Sequence, residues 1–207
     1  MKMVDRKKVK TFIDTNMLIF AVDYQKDNVF DWIDTLYRDV WIHQEVLKEL
    51  LLGKSRVEEE IHSRHWHTFD PLNLSDIEQE LYDTYFDGIQ EAFQAMRDAQ
   101  GPDAKHTQDV GEKATLAACI LQNAQMICSN DADISEVVRR ENYCYVDEDG
   151  NSELIVQDTA GDFCFYCVSD AGIPKSKVRR FYKSIFENKD DRNAKLAVLD
   201  QRLTRFN

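Results

Sequence analysis

Apolar residues near the start of the chain recur with two different periods. Short apolar runs at 9–14 (VKTFID) and 40–43 (VWIH) predict β-strands. Steps of three and four residues between apolar positions predict helices over 28–38 and 45–52, and a further helix beginning at Met17. The chain is therefore expected to begin with alternating strands and helices.

The same alternation returns in the second half of the chain. The pattern predicts an alanine-rich helix at 112–124, a strand at 125–129, a helix at 135–141 and a strand at 143–147. Strands that alternate with helices favour a parallel sheet covered on both faces. We therefore predict an α/β fold, a three-layer sandwich with a central, mostly parallel sheet flanked by helices.

An acidic region interrupts the two halves of this pattern. Residues 53–105 contain a long amphipathic repeat, which predicts a helix over 76–99. Ser75 and Glu78 have the spacing of a capping box at its start. We interpret the region as a helical insert within a domain that spans 1–150.

The remaining residues, 151–207, have mostly helical spacing. The clearest segments are RRFYKSIF (179–186) and NAKLAVLDQRL (193–203). We therefore predict a helical C-terminal extension that follows the main domain.

Composition bears on the compartment and on membrane partners. No apolar run approaches the roughly 20 residues that cross a bilayer, and the basic N-terminus lacks the apolar stretch of a signal peptide. The five cysteines are odd in number, which is typical of free thiols in a reducing compartment. We therefore expect a soluble cytoplasmic protein with no membrane partner.

Polar residues follow two of the predicted strands at the points where they end. Asp14, Thr15 and Asn16 follow the first strand, and Asp131 and Asp133 follow the later strand QMICS. In an open α/β sheet, ligands bind beyond the carboxyl ends of the strands. These side chains are therefore candidates for a binding site.

Three further acids lie on or beside helices near that edge. Glu49 belongs to EVLKEL, Glu112 begins EKATLAACI, and Asp109 lies one turn earlier. Converging carboxylates repel one another, so protons or cations must offset their charge. A cluster with no histidine or thiol ligand favours Mg²⁺ or Mn²⁺ over zinc.

Each of these acids also has a structural interpretation. Helix N-termini are commonly capped by Asp and Asn, and Glu is common on solvated helix faces. The structural roles are a cap on the first helix for Asp14 or Asn16, capping boxes for Asp109 with Glu112 and for Asp133 with Glu136, and a solvated position for Glu49.

Four short segments resemble the PIN-domain family of metal-dependent ribonucleases. They are FIDTN (12–16), EVLKEL (45–50), DVGEKATLAA (109–118) and ICSNDADI (127–134), and they occur in the order that the family has. The resemblance covers about residues 9–147 and leaves the C-terminal extension outside it.

The resemblance implies roles for individual residues. The catalytic acids carry over as Asp14, Glu49, Glu112 and Asp131. The implied metal ligands are Asp14, Glu112 and Asp131, with Asp109 and Asp133 as further acids. Thr15, Asn16 and Ser129 are interpreted as hydrogen-bond donors to the carboxylates or to a phosphate of the substrate.

The implied activity is that of a metal-dependent endoribonuclease that hydrolyses RNA phosphodiester bonds at a Mg²⁺ or Mn²⁺ centre. It would act as a toxin of a toxin–antitoxin pair or as a processing enzyme, with a protein inhibitor or a second copy as a partner. One alternative is a non-catalytic PIN-like module that binds RNA or protein. Another is a metal-dependent phosphatase of the haloacid dehalogenase type, which would want a second aspartate where Asn16 stands.

Charge distribution suggests where RNA would be held. The net charge is −12, yet residues 174–207 carry ten Lys or Arg against four Asp or Glu. We predict that Arg179 and Arg180 hold the RNA backbone, with Phe181 or Tyr182 as a stacking face. The alternative is a helix with apolar residues inward and solvated charges outward.

Overall fold

A computed structural model describes residues 4–100 and 110–206. Asp109, one of the predicted metal ligands, lies outside the described residues. Five short strands form one parallel sheet: β1 (Lys10–Ile13), β2 (Asp39–His43), β3 (His67–Phe69), β4 (Met126–Cys128) and β7 (Val156–Asp158). Their order across the sheet is β3-β2-β1-β4-β7. Two further strands, β5 (Cys144–Val146) and β6 (Ser152–Leu154), form a separate antiparallel pair.

Helices flank the central sheet. They are α1 (Thr15–Asp23), α2 (Val29–Leu36), α3 (Gln44–Glu49), α4 (Lys54–Arg64), α5 (Asp76–Gln100), α6 (Val110–Leu121), α7 (Ala132–Glu141), α8 (Ala160–Ser169), α9 (Lys175–Ser184) and α10 (Lys189–Arg202). Short 3₁₀ turns occupy Pro71–Asn73 and Leu203–Phe206. In the part of the chain that the structure describes, no helix is long and apolar enough to cross a membrane.

The sheet separates two hydrophobic cores, which accounts for the alternation of apolar side chains along its strands. Phe12 and Ile127 pack with α5, α6 and α7, whereas their neighbours Ile13 and Cys128 pack on the opposite face with α1, α2 and α8. Successive side chains of a strand point to opposite faces, so a strand between two helical layers is apolar throughout. This arrangement confirms the predicted α/β fold with a central parallel sheet.

Two sheet strands lie in regions for which the sequence predicted helices. β3 belongs to the predicted insert 53–105 and pairs with β2, while β7 belongs to 151–207 and pairs with β4. The predicted strand 143–147 forms β5, which pairs with β6 and does not join the central sheet. The predictions for these two regions gave their helices but omitted both strands, because three-residue strands with polar positions give almost no periodic signal.

The helix predicted at 45–52 is shorter than its apolar pattern suggested. α3 ends at Glu49, and the side chains of Leu51 and Leu52 are 93% and 84% exposed. Gly53 then adopts a φ of +76°, and a Cβ at this position would lie 2.4 Å from Cγ1 of Val22. The chain therefore turns closely against α1 before α4 begins, and only glycine fits that turn without strain.

The start of the chain and the C-terminal region are joined by a buried ion pair. The guanidinium of Arg6 donates hydrogen bonds of 2.6 and 2.7 Å to the carboxylate of Asp158, at the end of β7. The hydroxyl of Tyr37 donates to the same carboxylate at 2.8 Å. The Arg6 guanidinium also lies 3.1 Å from the ring centre of Tyr166, on α8. Residues 151–207 are thus part of the main core and its polar contacts.

Candidate functional site

The sheet order creates a crevice between β1 and β4. From β1 the chain builds outward to β2 and β3, and it later returns to place β4 on the other side of β1. Ligands bind at such a switch point in open α/β sheets. The backbone N–H of Asp14 donates to the carbonyl of Cys128 at 3.0 Å, so the pairing of these two strands continues into the crevice.

The four predicted catalytic acids line one cavity in this crevice. Each comes from a different element: the end of β1, the end of α3, the first turn of α6 and the turn after β4. The cavity has a volume of about 180 Å³ and is lined by Asp14, Thr15, Asn16, Ile19, Glu49, Glu112 and Asp131. The structure therefore brings together the four acids predicted as catalytic.

Asp14 lies at the base of this site and is only 4% exposed. Its Oδ2 accepts hydrogen bonds from the Ser129 hydroxyl at 2.8 Å and from Nδ2 of Asn16 at 2.9 Å. Burial, together with the charges of Glu49 and Asp131, raises the pKa of Asp14 to about 6 against the opposing hydrogen bonds from Ser129 and the Thr15 backbone. The carboxylate is therefore held rigidly where its negative charge is unfavourable.

Asn16 and Ser129 position Asp14 and also hold the turn after β4. Oδ1 of Asn16 accepts from the backbone N–H of Asn130 at 3.0 Å, and the Ser129 hydroxyl oxygen accepts from the backbone N–H of Asp131 at 3.2 Å. Asp14 occupies the N-cap position of α1, but its side chain makes no capping hydrogen bond. The predicted role of Asn16 and Ser129 as donors to the carboxylates therefore agrees with these contacts.

Glu49 is engaged through both carboxylate oxygens. Oε2 accepts from the Thr15 hydroxyl at 2.6 Å, and Oε1 accepts from the backbone N–H of Gly111 at 2.7 Å. The carboxylate thus joins the first turn of α1 to the first turn of α6, where Glu112 lies. This geometry favours a positioning role for Glu49 over that of a metal ligand.

Asp131 caps a helix and lines the cavity at the same time. Its Oδ1 accepts from the backbone N–H of Asp133 at 2.8 Å, so Asp131 is the N-cap of α7. The predicted capping role of Asp133 was wrong, because α7 begins three residues earlier than its apolar pattern suggested. Asp133, which was predicted as a further metal ligand, does not line the cavity.

The sequence did not predict Ile19 as a lining residue, nor two residues that hold the acids of the site in place. Gly111 allows Glu49 to approach the α6 backbone, since a Cβ there would lie 2.5 Å from Oε2 of Glu49. Gln157 of β7 donates from Nε2 to the carbonyl of Ser129 at 2.9 Å and to the carbonyl of Asp131. A glycine in the first turn of a helix is a weak signal of close approach, whereas nothing in the sequence marked Gln157.

The basic segment of α9 lies away from the cavity. The rings of Phe181 and Tyr24 are 5.4 Å apart, which places α9 at the C-terminal end of α1, about 13 Å along that helix from its first turn. Phe181 and Tyr182 are buried, so the predicted stacking face was wrong. Arg179 forms an ion pair of 2.7 Å with Asp200, and Arg180 is exposed.

The side chains of the cavity fit a hard divalent cation in kind. The atoms of these side chains that could ligate a metal are oxygens, and oxygen ligands suit Mg²⁺ and Mn²⁺. Within the described residues, no three His, Cys, Asp or Glu side chains are gathered closely enough to hold an ion by themselves. Mg²⁺ commonly binds through one or two carboxylates and keeps several waters, and a cavity ringed by carboxylates suits that mode.

Comparisons of the chain with family models, with curated proteins and with solved structures find no match. The resemblance to the PIN-domain family is therefore carried by the four sequence segments.

Proposed function

We propose that this protein is a metal-dependent endoribonuclease of the PIN-domain type that hydrolyses RNA phosphodiester bonds. The observation that carries the proposal is the meeting of Asp14, Glu49, Glu112 and Asp131 in one cavity at the β1–β4 switch point. Burying like charges together costs folding free energy, as the raised pKa of Asp14 reflects. Such a cost is understandable where the charges serve a cation and a reaction.

In this proposal one or two of the carboxylates of Asp14, Glu112 and Asp131 would bind Mg²⁺ or Mn²⁺ directly, and the others would contact its bound waters. The bound ion would lower the pKa of a water molecule and offset negative charge on the phosphoryl oxygens. Asp14 suits the role of a fixed ligand because β1 holds its backbone and because Ser129 and Asn16 orient its carboxylate. Asp131 is fixed in a similar way by its cap on α7.

Glu49 would act on the position of these ligands. Its hydrogen bonds to Thr15 and Gly111 set the first turn of α6 relative to α1, and thereby set Glu112 relative to Asp14. Displacement of catalytic groups by about 1 Å is enough to lower rates substantially. In this proposal Asp14, Glu112 and Asp131 contact the ion or its bound waters, and Glu49 fixes the position of Glu112 relative to Asp14.

The proposal is tested by metal-dependent cleavage of RNA. Purified wild-type protein with Mn²⁺ is expected to cut at least one member of a panel of single-stranded and structured RNAs, and Asp14→Asn is expected to cut none. RNA binding without cleavage by the wild type would instead support the non-catalytic module. Turnover of small phosphate monoesters with no RNA cleavage would support the phosphatase.

A further inference from the structure

A second cavity next to the carboxylate site is lined by two buried cationic side chains. Arg97 of α5 is 8% exposed and Lys113 of α6 is 7% exposed, and both line a cavity of about 640 Å³. Helix α6 separates the two cavities, because Glu112 lines the carboxylate cavity and the adjacent residue, Lys113, lines this one. A cationic pocket therefore flanks the proposed metal centre.

Arg97 differs from the other buried arginine in its contacts. The Arg6 guanidinium is bound by the carboxylate of Asp158, whereas the buried Nε of Arg97 has no hydrogen-bond partner among the described residues. The guanidinium carbon of Arg97 lies 6.0 Å from the ring centre of Phe93. A buried cation with an unfilled donor is costly, and an anion that enters the cavity would offset that cost.

The carboxylates among the described residues that line the same cavity lie at its exposed edge. Glu91 and Asp98 are exposed, and Asp98 accepts a hydrogen bond of 2.7 Å from Gln94. Water screens exposed charges strongly, while charges in a less polar interior act at higher effective strength. The base of the cavity therefore favours an anion in spite of its acidic edge.

The cationic pocket is close enough to the carboxylate site to act on the same substrate. Helix α5, which carries Arg97, packs directly against α7 through apolar side chains of both helices. Asp131, which caps α7, lines the carboxylate cavity. A polyanionic strand that crosses one cavity would therefore reach the other.

We propose that Arg97 and Lys113 bind a backbone phosphate of the RNA strand beside the site of cleavage. The inference rests on the proposed nuclease function and names the surface that holds its substrate, in place of Arg179 and Arg180. Guanidinium groups suit this role because their fork of donors matches phosphate oxygens. The phosphate would accept hydrogen bonds from the Arg97 guanidinium where that side chain lines the cavity.

Binding can be measured separately from cleavage. The probe is a fluorescein-labelled 12-mer of oligouridylate, added to the full chain carrying Asp14→Asn, and affinity is read by fluorescence anisotropy over a range of salt concentrations. Adding Arg97→Gln is expected to weaken binding about fivefold and to lower the slope of log affinity against log salt by about one. Adding Arg180→Gln, the matched control on α9, is expected to leave both unchanged.

Two further variants address folding. Arg97→Lys keeps the charge and is expected to retain most of the affinity, while Lys113→Gln is expected to lose affinity as Arg97→Gln does. Thermal unfolding monitored by circular dichroism identifies any variant that fails to fold, and Lys113→Gln decides the question if Arg97→Gln is one of them. Unchanged affinity in the folded variants, or no binding of the probe at low salt, overturns the proposal.

Failure of this inference differs from failure of the nuclease proposal. Weaker binding in Arg97→Gln, with no RNA cleavage by the wild type, would retain the phosphate site and remove the nuclease. Metal-dependent cleavage by the wild type, with unchanged binding in Arg97→Gln, would retain the nuclease and remove the phosphate site.

Discussion

The carboxylate of Glu49 lies directly against the backbone of Gly111. Oε1 accepts the Gly111 N–H at 2.7 Å, and a Cβ on Gly111 would lie 2.5 Å from Oε2. No residue larger than glycine fits there without moving the carboxylate. Since Glu112 follows Gly111, this contact sets the position of an acid that lines the proposed metal site.

Gly111→Ala is expected to reduce RNA cleavage at least about tenfold with little loss of stability. The methyl group would push the Glu49 carboxylate away from Thr15 and Gly111, and misplaced catalytic groups lose rate steeply. The lost hydrogen bonds are partly offset by the helix preference of alanine, about 1 kcal/mol over glycine. Cleavage rates and urea unfolding of the same preparation measure the two effects.

Gly88→Ala on α5 is the matched control for this substitution. No atom lies within 4 Å of the added methyl group, so we expect unchanged cleavage and a gain of about 0.5–1 kcal/mol in unfolding free energy. Wild-type cleavage rates in Gly111→Ala would show that the contact with Glu49 does not position the site.

Glu49→Gln distinguishes a positioning residue from a metal ligand. Both Glu49 oxygens already accept hydrogen bonds from the protein, so we expect the variant to bind Mn²⁺ within about threefold of the wild type while it loses cleavage activity. Asp14→Asn should lose Mn²⁺ binding altogether. Isothermal titration with Mn²⁺ measures both, and an equal loss in the two variants would make Glu49 a ligand.

The central strands and the acids that follow them could be predicted from the sequence. β1 and β4 are buried on both faces, so their apolar runs end abruptly where Asp14 and Ser129 reach the crevice. The rule that ligands bind at the carboxyl ends of strands then selects the correct edge of the sheet.

Other parts of the site depend on contacts between distant residues and could not be read from local patterns. β7 has three residues, two of them polar, yet it supplies Gln157 to hold the turn after β4. Arg97 lies in a helix whose amphipathic spacing was clear, but its burial beside Lys113 follows from the packing of α5 on α6. Counts of Lys and Arg along the chain predicted RNA binding on α9, because a sequence does not distinguish the exposed arginine Arg180 from a buried one such as Arg97.

Asp14→Asn should stabilise the metal-free protein in a pH-dependent way. Burial raises the pKa of Asp14 from 3.8 to about 6. Below pH 3.8 the carboxyl group is protonated in both the folded and the unfolded protein and does not lower the free energy of unfolding. Between pH 3.8 and 6 its ionisation increasingly favours the unfolded chain, and above pH 6 the full loss of stability applies. Keeping the carboxylate ionised costs about 3 kcal/mol. Asparagine avoids that cost, so its advantage in unfolding free energy should be largest at pH 8 and smaller at pH 4.5.

Urea unfolding in EDTA at the two pH values measures this difference. Glu153→Gln, an exposed carboxylate on β6, controls for the loss of one negative charge and should show no such trend. If the difference in unfolding free energy between Asp14→Asn and the wild type is the same at both pH values, the raised pKa of Asp14 is contradicted.

A fragment of residues 1–150 is expected not to fold on its own. It lacks β7 and the three helices that follow, which contribute Phe163 and Phe181 to the core, and it leaves Arg6 without the carboxylate of Asp158. Removing one partner of a buried ion pair alone costs about 3–5 kcal/mol. Circular dichroism during urea unfolding should show no cooperative transition, and a transition like that of the full chain would establish 1–150 as a separate domain.

X-ray diffraction from crystals soaked in Mn²⁺ tests most directly whether the carboxylates at the β1–β4 switch point form a metal centre. We expect an anomalous density peak between Asp14, Glu112 and Asp131 in the wild type and no peak there in Asp14→Asn. A wild-type cavity without a peak at millimolar Mn²⁺, or an equal peak in Asp14→Asn, would contradict the proposed metal centre.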